Sequence, residues 1–408
     1  MKTITWNKNQ VPIYSWTENY EEEALNQAKD LSKLPFMFHH VALMPDVHPG
    51  YGMPIGGVIA CKDVVIPNAV GVDIGCGMMA VKTDLFSDGL KDKQTIRNLF
   101  ASLKKLIPVG EGNFHRERQY WDGFNRYEQE VYRVEAGTWG WDTEKVWNLA
   151  LHNLGTLGGG NHFIELQSDG TNIWLMLHSG SRNLGYKIAK YYNDVALELC
   201  SRYYSPLPNK DVAFLPIDST EGLNYIRDMT FALNYAQENR KRMMNIFQQI
   251  LSDYFSEIGG VNFAQEINIH HNYANLENHF GKNIWVHRKG ATSAKEGQLG
   301  IIPGSMGTAS YIVKGKGNRD SFTSCSHGAG RPMSRTEASK TLTKEECDKA
   351  MEGIVYDWWK PIKRGKLKGE LDFSESPGAY KDIDTVISEQ SDLVDIVVKL
   401  KPLGVLKG

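Results

Sequence analysis

Short Val- and Ile-rich runs that break into glycine turns recur over residues 41–80, 155–185 and 285–330, and they constrain the fold of this chain more than any other feature. Runs of that length and composition predict strands joined by tight loops. A different pattern fills residues 221–255. There Leu223, Ile226, Met229, Leu233, Ala236, Met243, Phe247, Ile250, Leu251 and Tyr254 fall mostly three or four apart, which predicts an amphipathic helix or a helix pair. Residues 184–204 and 343–359 read likewise, and the second stretch opens with Thr343 and Glu346 at the spacing of a capping box. No internal repeat, low-complexity tract or Pro/Gly/Ser linker separates domains. One α+β unit over residues 1–408 is the simplest account.

Composition narrows the class. Apolar residues make up 41% and charged residues 23%, the range of ordinary globular chains. The formal net charge of −2 does not announce a nucleic-acid binder, so any RNA affinity must come from a local basic surface. The first residues, Met1 to Trp16, carry no apolar run of signal-peptide length, and no stretch reaches the ~18 apolar residues of a membrane span. Cys61, Cys76, Cys200, Cys325 and Cys347 are odd in number and scattered, which argues against a disulfide framework. A reducing cytoplasm is the expected location.

Ligand-type side chains stand among glycines in Val70-Gly-Val-Asp73-Ile-Gly-Cys76-Gly-Met78, Leu157-Gly-Gly-Gly-Asn161-His162-Phe-Ile-Glu165, Leu177-His178-Ser-Gly-Ser-Arg182 and Ser324-Cys325-Ser326-His327-Gly-Ala-Gly-Arg331, and they cluster again in Ile269-His270-His271-Asn272-Tyr273. Singly, each has an ordinary explanation. A His beside an apolar run is commonly a hydrogen-bonded core residue, a lone Cys is commonly a small buried apolar group, and Gly beside His can be a turn. Jointly, Asp73, Cys76, His162, His178 and His271 form a mixed O/S/N set able to hold one or two divalent ions. His327 remains, in a loop of small residues followed by Arg331, with the surroundings of a nucleophile or general base facing phosphate. No G-x-x-x-x-G-K-[ST] run is present, and Leu157-Gly-Gly-Gly160 lacks dinucleotide-binding spacing.

At these segments the sequence resembles the RtcB family of RNA ligases. The resemblance extends to Met44-Pro-Asp46-Val-His48-Pro-Gly-Tyr-Gly, Pro303-Gly-Ser305-Met-Gly-Thr-Ala-Ser310-Tyr, Ala379-Tyr380-Lys-Asp and the terminal Val405-Leu-Lys407-Gly408, and so covers nearly the whole chain in one order. It implies stacked mixed β-sheets flanked by helices. It also implies sealing of RNA 3′-phosphate or 2′,3′-cyclic phosphate ends to 5′-hydroxyl ends, with GTP as co-substrate and two manganese ions. Those ions would be held by Asp73, Cys76, His162, His178 and His271, the Cys76 thiolate bridging them. His327 would be guanylylated by GTP and pass GMP to the RNA. Asn161, His162, Phe163, Ile164, Glu165, His271, Asn272, Pro303, Gly304, Ser305, Met306, Ser310, Gly328, Ala329, Gly330, Tyr380 and Lys407 would surround the guanylate, with Asp46 close by. One departure is Asn183 after Ser181-Arg182, where the family pattern has Gly.

The chemistry of the residues agrees with those roles. A neutral imidazole nitrogen is a competent nucleophile, and Glu165 can accept from the N1–H and N2–H₂ edge of guanine, which adenine lacks. Manganese comes from the resemblance alone, because one thiolate and three imidazoles intrinsically favour zinc. Arg182, Arg288, Lys289 and Arg331 are the candidates for RNA phosphate contacts. The run Trp358-Trp359-Lys360-Pro-Ile-Lys363-Arg364-Gly-Lys366-Leu-Lys368 is read as a helix end packed by two Trp and followed by a solvated loop, and Arg240-Lys241-Arg242 as a solvated helix face. Two other functions stay open at this point. A dinuclear phosphoesterase needs the metal cluster but neither a guanylate pocket nor a covalent His, and a metal- and nucleotide-binding module needs no catalysis.

Overall fold

Two stacked sheets form the centre of the computed structural model, which describes residues 1–90, 92–134, 140–141, 144–362 and 365–408. The larger sheet runs Phe263–His270, Gly77–Phe86, Asn172–Ser179, Phe163–Ser168, Val394–Lys407, Ser310–Gly315, Leu299–Ile302, and Val355–Tyr356 pairs alongside Val394–Lys407. The smaller runs Lys2–Ile4, Ile13–Ser15, Met37–His48, Ile55–Cys61, Lys282–Lys289, Asn272–His279. Pairing is antiparallel except where Ile13–Ser15 meets Met37–His48 and Val355–Tyr356 meets Val394–Lys407, so both sheets are mixed.

Alternation along the strands explains the layers, because successive side chains leave a strand on opposite faces. Met79 and Val81 pack under Met243, Met244, Phe247 and Leu251 of the long helix, while their neighbours Met78 and Ala80 face Ile267, Ile269, Ile312 and Val405 on the other side. Ala42, Met44, Val58 and Val286 of the smaller sheet meet Ile302, Tyr311 and Val313 of the larger, and this contact stacks the two. Helix Glu22–Ser32 covers the outer face of the smaller sheet through Ala24, Ala28 and Leu31. The expected α+β architecture of stacked mixed sheets flanked by helices is borne out. All five cysteines are buried and free, and no described helix is long and apolar enough to cross a membrane.

The helices differ from expectation in one place. Residues 221–255 form a single helix, Thr220–Tyr254, whose N-cap Ser219 accepts from the Gly222 N–H, and residues 184–204 form Arg182–Arg202. The capping box of Thr343 and Glu346 is present, but its helix stops at Ala350 instead of running to residue 359. Gly353 turns the chain with φ of +87°, a conformation other residues resist, and Val355–Tyr356 then joins the larger sheet. Trp358 and Trp359 therefore do not cap a helix end. Trp359 donates to Asp348 and packs on Phe373, whereas Trp358 is 71% exposed. Lys363 and Arg364 lie outside the described residues.

Candidate metal and nucleotide site

Strand register decides which loops meet. Gly77 pairs with both Ser179 and His270, and His178 pairs with both Met78 and Phe163. Cys76 directly precedes Gly77, His162 directly precedes Phe163, and His271 directly follows His270. One end of the larger sheet therefore gathers a thiol and three imidazoles. His271 is also the one residue between strand Phe263–His270 of the larger sheet and Asn272–His279 of the smaller, and its N–H donates to the Cys76 carbonyl at 2.9 Å.

Distances among these groups are short. Cys76 Sγ lies 3.1 Å from His178 Nε2 and 3.5 Å from His162 Nε2, His178 Nε2 is 3.4 Å from His271 Nε2, and His162 Nε2 is 3.2 Å from Asp73 Oδ2. Cys76–His178–His271 and Asp73–Cys76–His162 each place their ligand atoms within 4.8 Å of one another. The two groups share Cys76, the arrangement a bridging thiolate requires.

The donor chemistry fits a divalent cation. The Leu157 carbonyl, 2.9 Å from His162 Nδ1, can only accept, so Nδ1 carries the proton and the Nε2 lone pair faces the cluster. Arg182 Nη1, 3.2 Å from the same Nδ1, is then a neighbour and not a donor. The Asn161 carbonyl fixes His178 the same way at 3.3 Å. Burial holds the His178 and His271 pKa values well below the usual histidine range, so both imidazoles are neutral ligands. Burial and the adjacent Asp73 carboxylate push the Cys76 thiol far up, so without metal it keeps its proton, and binding a cation must expel it. Burial raises the Asp73 pKa, but the opposing effects of His162 and Arg182 outweigh it and leave the carboxyl ionised, with a buried Oδ1 that has no hydrogen-bond partner among the described residues.

Beside this cluster His327 and Asp46 form a second arrangement. His327 follows the strand Ser324–Ser326, and Asp46 sits within Met37–His48. Asp46 Oδ2 accepts from His327 Nδ1 at 2.7 Å, from the His327 backbone N–H at 2.9 Å and from the Gly328 N–H at 3.3 Å. Asp46 is fully buried; burial pushes its pKa up, yet His327 outweighs this and holds the carboxyl below its ordinary range. A carboxylate on Nδ1 places the imidazole lone pair on Nε2, in the tautomer of an oriented nucleophile or base. The His327 ring lies 4.8 Å from that of His271, centre to centre.

A cleft of about 260 Å³ opens over His327. Asn161, Phe163, His178, His271, Pro303, Gly304, Ser305, Met306, His327, Gly328, Ala329, Gly330, Arg331, Tyr380 and Lys407 line it, so most of the residues expected around a guanylate converge there. Gly330, with φ of +75°, fits so tightly that a Cβ would meet the Asp46 carbonyl oxygen at 2.4 Å. Asn272 stands behind the cleft as a brace, donating to the Asp73 carbonyl and accepting from the Gly290 N–H. Ser310 Oγ likewise supports the wall, accepting from Gln167 and from the Gly304 N–H. Ile164 does not fit its expected place, because strand alternation turns its side chain into the core under the long helix.

The four basic candidates separate. Arg331 lines the cleft, pairs with Glu375 at 2.8 Å, and keeps a buried Nη2 without a partner among the described residues. Arg182 lies beside His162 and is partly exposed. Arg288 is fully buried, with its guanidinium on Glu277, Ser324 and the Phe322 carbonyl, so no edge is left for RNA. Lys289 is also buried, its ammonium donating to the Tyr51 and Asn68 carbonyls, and burial lowers its pKa to about 7. Arg288 and Lys289 are therefore corrected from phosphate contacts to structural groups. Arg240 is corrected too, since it is fully buried and not on a solvated face.

Sequence reasoning missed Glu375. Its carboxylate holds Lys407 at 3.0 Å, Arg331 at 2.8 Å and the Tyr380 hydroxyl at 2.6 Å. Burial would raise its pKa, but Lys407 and Arg331 depress it to about 2. The only signal was its place five residues before Tyr380 in a Ser/Pro/Gly-rich loop.

Glu165 is buried on the same strand as Phe163, and burial raises its pKa to about 7 against the pull of Gln167 and Lys407. A carboxyl raised in the folded state binds its proton more tightly there than when unfolded. Its stabilising share is therefore full at low pH and is lost as pH climbs from the ordinary glutamate range to about 7. Glu165→Gln, which never ionises, should gain in melting temperature relative to the parent between pH ~5 and ~8. A constant difference across that range would contradict the assignment.

The family model described as tRNA-splicing ligase RtcB matches residues 27–408. The RNA-splicing ligase RtcB of Escherichia coli is 40% identical, with 97% of each chain covered. The tRNA-splicing ligase RtcB of Thermococcus kodakarensis is 31% identical over 95% of this chain and 92% of its own. The RNA-splicing ligase RtcB of Mycobacterium tuberculosis is 32% identical over 94% of this chain and all of its own. With the cluster, the oriented His327 and the cleft at one sheet end, these likenesses establish that the chain belongs to the RtcB family of ligases.

Proposed function

We propose that this ligase joins RNA 3′-phosphate or 2′,3′-cyclic phosphate ends to 5′-hydroxyl ends through a guanylylated His327, using GTP and two manganese ions. The single observation that carries the reading is the Nδ1 contact of 2.7 Å between His327 and buried Asp46, which leaves Nε2 as the nucleophile beside the metal cluster. His327 Nε2 attacks the α-phosphorus of GTP, forming a P–N bond as the bond to pyrophosphate breaks. Where the end is cyclic, water first opens the 2′,3′-ester to a 3′-phosphate and a free 2′-hydroxyl; an oxygen of the RNA 3′-phosphate then displaces the imidazole and takes the GMP. The 5′-hydroxyl attacks the activated RNA phosphorus, its proton is lost, and GMP departs. Asp73, Cys76, His162, His178 and His271 hold the ions, which when bound neutralise triphosphate charge and orient the leaving group. Zinc competes for this thiolate- and imidazole-rich set. The unpartnered Nη2 of Arg331 and the exposed part of Arg182 supply donors for phosphate.

Guanine is read at the far side of the cleft. Glu165 accepts from the N1–H and N2–H₂ edge, and the Lys407 ammonium, held 3.0 Å from Glu375 and 3.3 Å from the Asn161 carbonyl, donates to O6 or N7. Lys407 belongs to the strand Val394–Lys407, so the penultimate residue is anchored and not frayed. Lys407→Ala should raise the GTP concentration needed for half-maximal adduct formation by roughly 10- to 100-fold. Exposed Lys401 is the control, and Lys401→Ala should match the parent. An unchanged GTP dependence in Lys407→Ala would remove it from recognition.

Incubation with manganese and α-labelled GTP tests the proposal. Label should survive denaturation, leave in acid, persist in alkali, and fail to appear from ATP. No retained label, together with metal-dependent hydrolysis of phosphoesters, would make the protein a phosphoesterase; no retained label and no hydrolysis would leave a binding module.

A further inference from the structure

Helix Thr220–Tyr254 carries two buried polar residues in sequence, Asn239 and Arg240, both 0% exposed. Helices seldom bury such a pair, and every polar atom so placed must find a partner. Their partners are unusual in distribution. Arg240 donates to the Gly75 carbonyl at 2.8 Å, the Ser179 carbonyl at 2.9 Å and Asn268 Oδ1 at 2.8 Å, and lies 3.2 Å from His270 Nδ1. Asn239 donates to the Thr156 and Gly180 carbonyls and to Ser179 Oγ, and accepts from the Gly155 and Thr156 N–H groups. Gly75 precedes Cys76, Ser179 follows His178, and His270 precedes His271. Residues 155–156 lead to Leu157, whose carbonyl fixes the His162 ring.

These two side chains thus reach the segments that carry all four sulfur and nitrogen ligands, through backbone near Cys76, His162 and His178 and through the Asn268 side chain near His271, and these segments lie up to 195 residues apart in pairings such as Gly75 with His270. Gly75 is shaped to the helix, since a Cβ there would meet Ala236 at 2.9 Å, whereas one on Gly77 would first meet the Ile269 carbonyl of the neighbouring strand at 2.0 Å and then Arg240 Nη1 at 3.0 Å. Ala236 and Arg240 are four apart and share a helix face. Arg240 has no carboxylate ion pair among the described residues, and its donors go to the Gly75 and Ser179 carbonyls and the Asn268 amide oxygen of the ligand-bearing segments, while His270 Nδ1, turned to the Gly75 carbonyl, is a neighbour.

We infer that Asn239 and Arg240 are positioning residues for the metal centre, a clamp on the long helix that sets the spacing of Cys76, His162, His178 and His271. The planar guanidinium suits this task, because its fork holds several carbonyls at fixed angles, which a lysine ammonium does not reproduce. The inference rests on the metal assignment above, and its test separates the two. Cobalt(II) is the probe, since thiolate-to-cobalt charge transfer and d–d bands report ligand geometry without turnover. The parent should bind cobalt with a thiolate band that Cys76→Ser abolishes; absence of that band in the parent would defeat the metal assignment itself.

Given a parent band, Arg240→Lys should bind cobalt roughly 10- to 100-fold more weakly with altered d–d bands, the loss typical when support behind a metal ligand is removed. Arg242→Lys, two residues on with its guanidinium on Glu238 and the Tyr120 carbonyl and so outside the clamp, should match the parent. A folded Arg240→Lys with parental cobalt affinity and spectrum would overturn the inference, since a merely structural arginine lowers stability without moving either. Should Arg240→Lys not fold, Asn268→Ala decides by the same readout. It removes the partly exposed acceptor of Arg240 Nε, with two long amide contacts to Met79 and the Gln237 carbonyl, and parental binding there overturns the proposal equally.

Discussion

Cys76→Ser is expected to lose metal from both groups of ligands at once and to form no detectable adduct with GTP. Cys76 is common to both groups, so one substitution removes a donor from each. A serine hydroxyl keeps its proton where a thiol beside a cation surrenders it, and it is a poor bridge between two ions. Metal affinity should fall on the order of 10²-fold or more. The fold should persist, because the main-chain contact from the His271 N–H to residue 76 and the strand pairs around Gly77 do not involve the side chain. Metal analysis at limiting manganese, with a melting curve of the metal-free protein, checks both halves. Full occupancy in Cys76→Ser would remove Cys76 from the ligand set.

Asp46→Asn should retain metal yet slow guanylylation by roughly 10²- to 10⁴-fold, the range seen when the carboxylate that orients a catalytic histidine is replaced. Asp46 Oδ2 accepts three N–H groups, two of them backbone and one from His327 Nδ1. An amide accepts through one atom only, and its NH₂ facing the ring would favour the tautomer with the proton on Nε2, where nucleophilicity is needed. The metal ligands lie on other segments, so manganese content should stay at the parental level. Rate constants for adduct formation at saturating GTP, read beside metal content, make the check. Parental rates in Asp46→Asn would mean that the tautomer is set by something else.

Much of this site was legible in the chain. Asp73, Cys76, His162, His178 and His327 stand among glycines, His271 stands in a His-His-Asn run, and their side-chain types state their chemistry without knowledge of the fold. Their convergence follows from register, which alternating apolar residues such as Met78, Met79, Ala80 and Val81 impose. What escaped were the groups behind the ligands. Arg240 looks like part of a basic run, and only its helical phase, one turn past Ala236, turns it inward. Arg288 resembles a phosphate donor until Glu277, on the neighbouring strand, claims its guanidinium. The periodicity of residues 343–359 overstates the helix because a capping box marks only where a helix starts, while its end depends on Gly353 and on pairing of Val355 with distant Gly404. Long-range partners of this kind carry no local signature.

Mapping the adduct decides whether His327 is the nucleophile. The protein, incubated with manganese and GTP and digested at alkaline pH, should yield one guanylylated peptide, with the GMP on His327. His327→Ala should bind manganese like the parent and yield none. An adduct on a lysine such as Lys407, or one that persists in His327→Ala, would contradict the account.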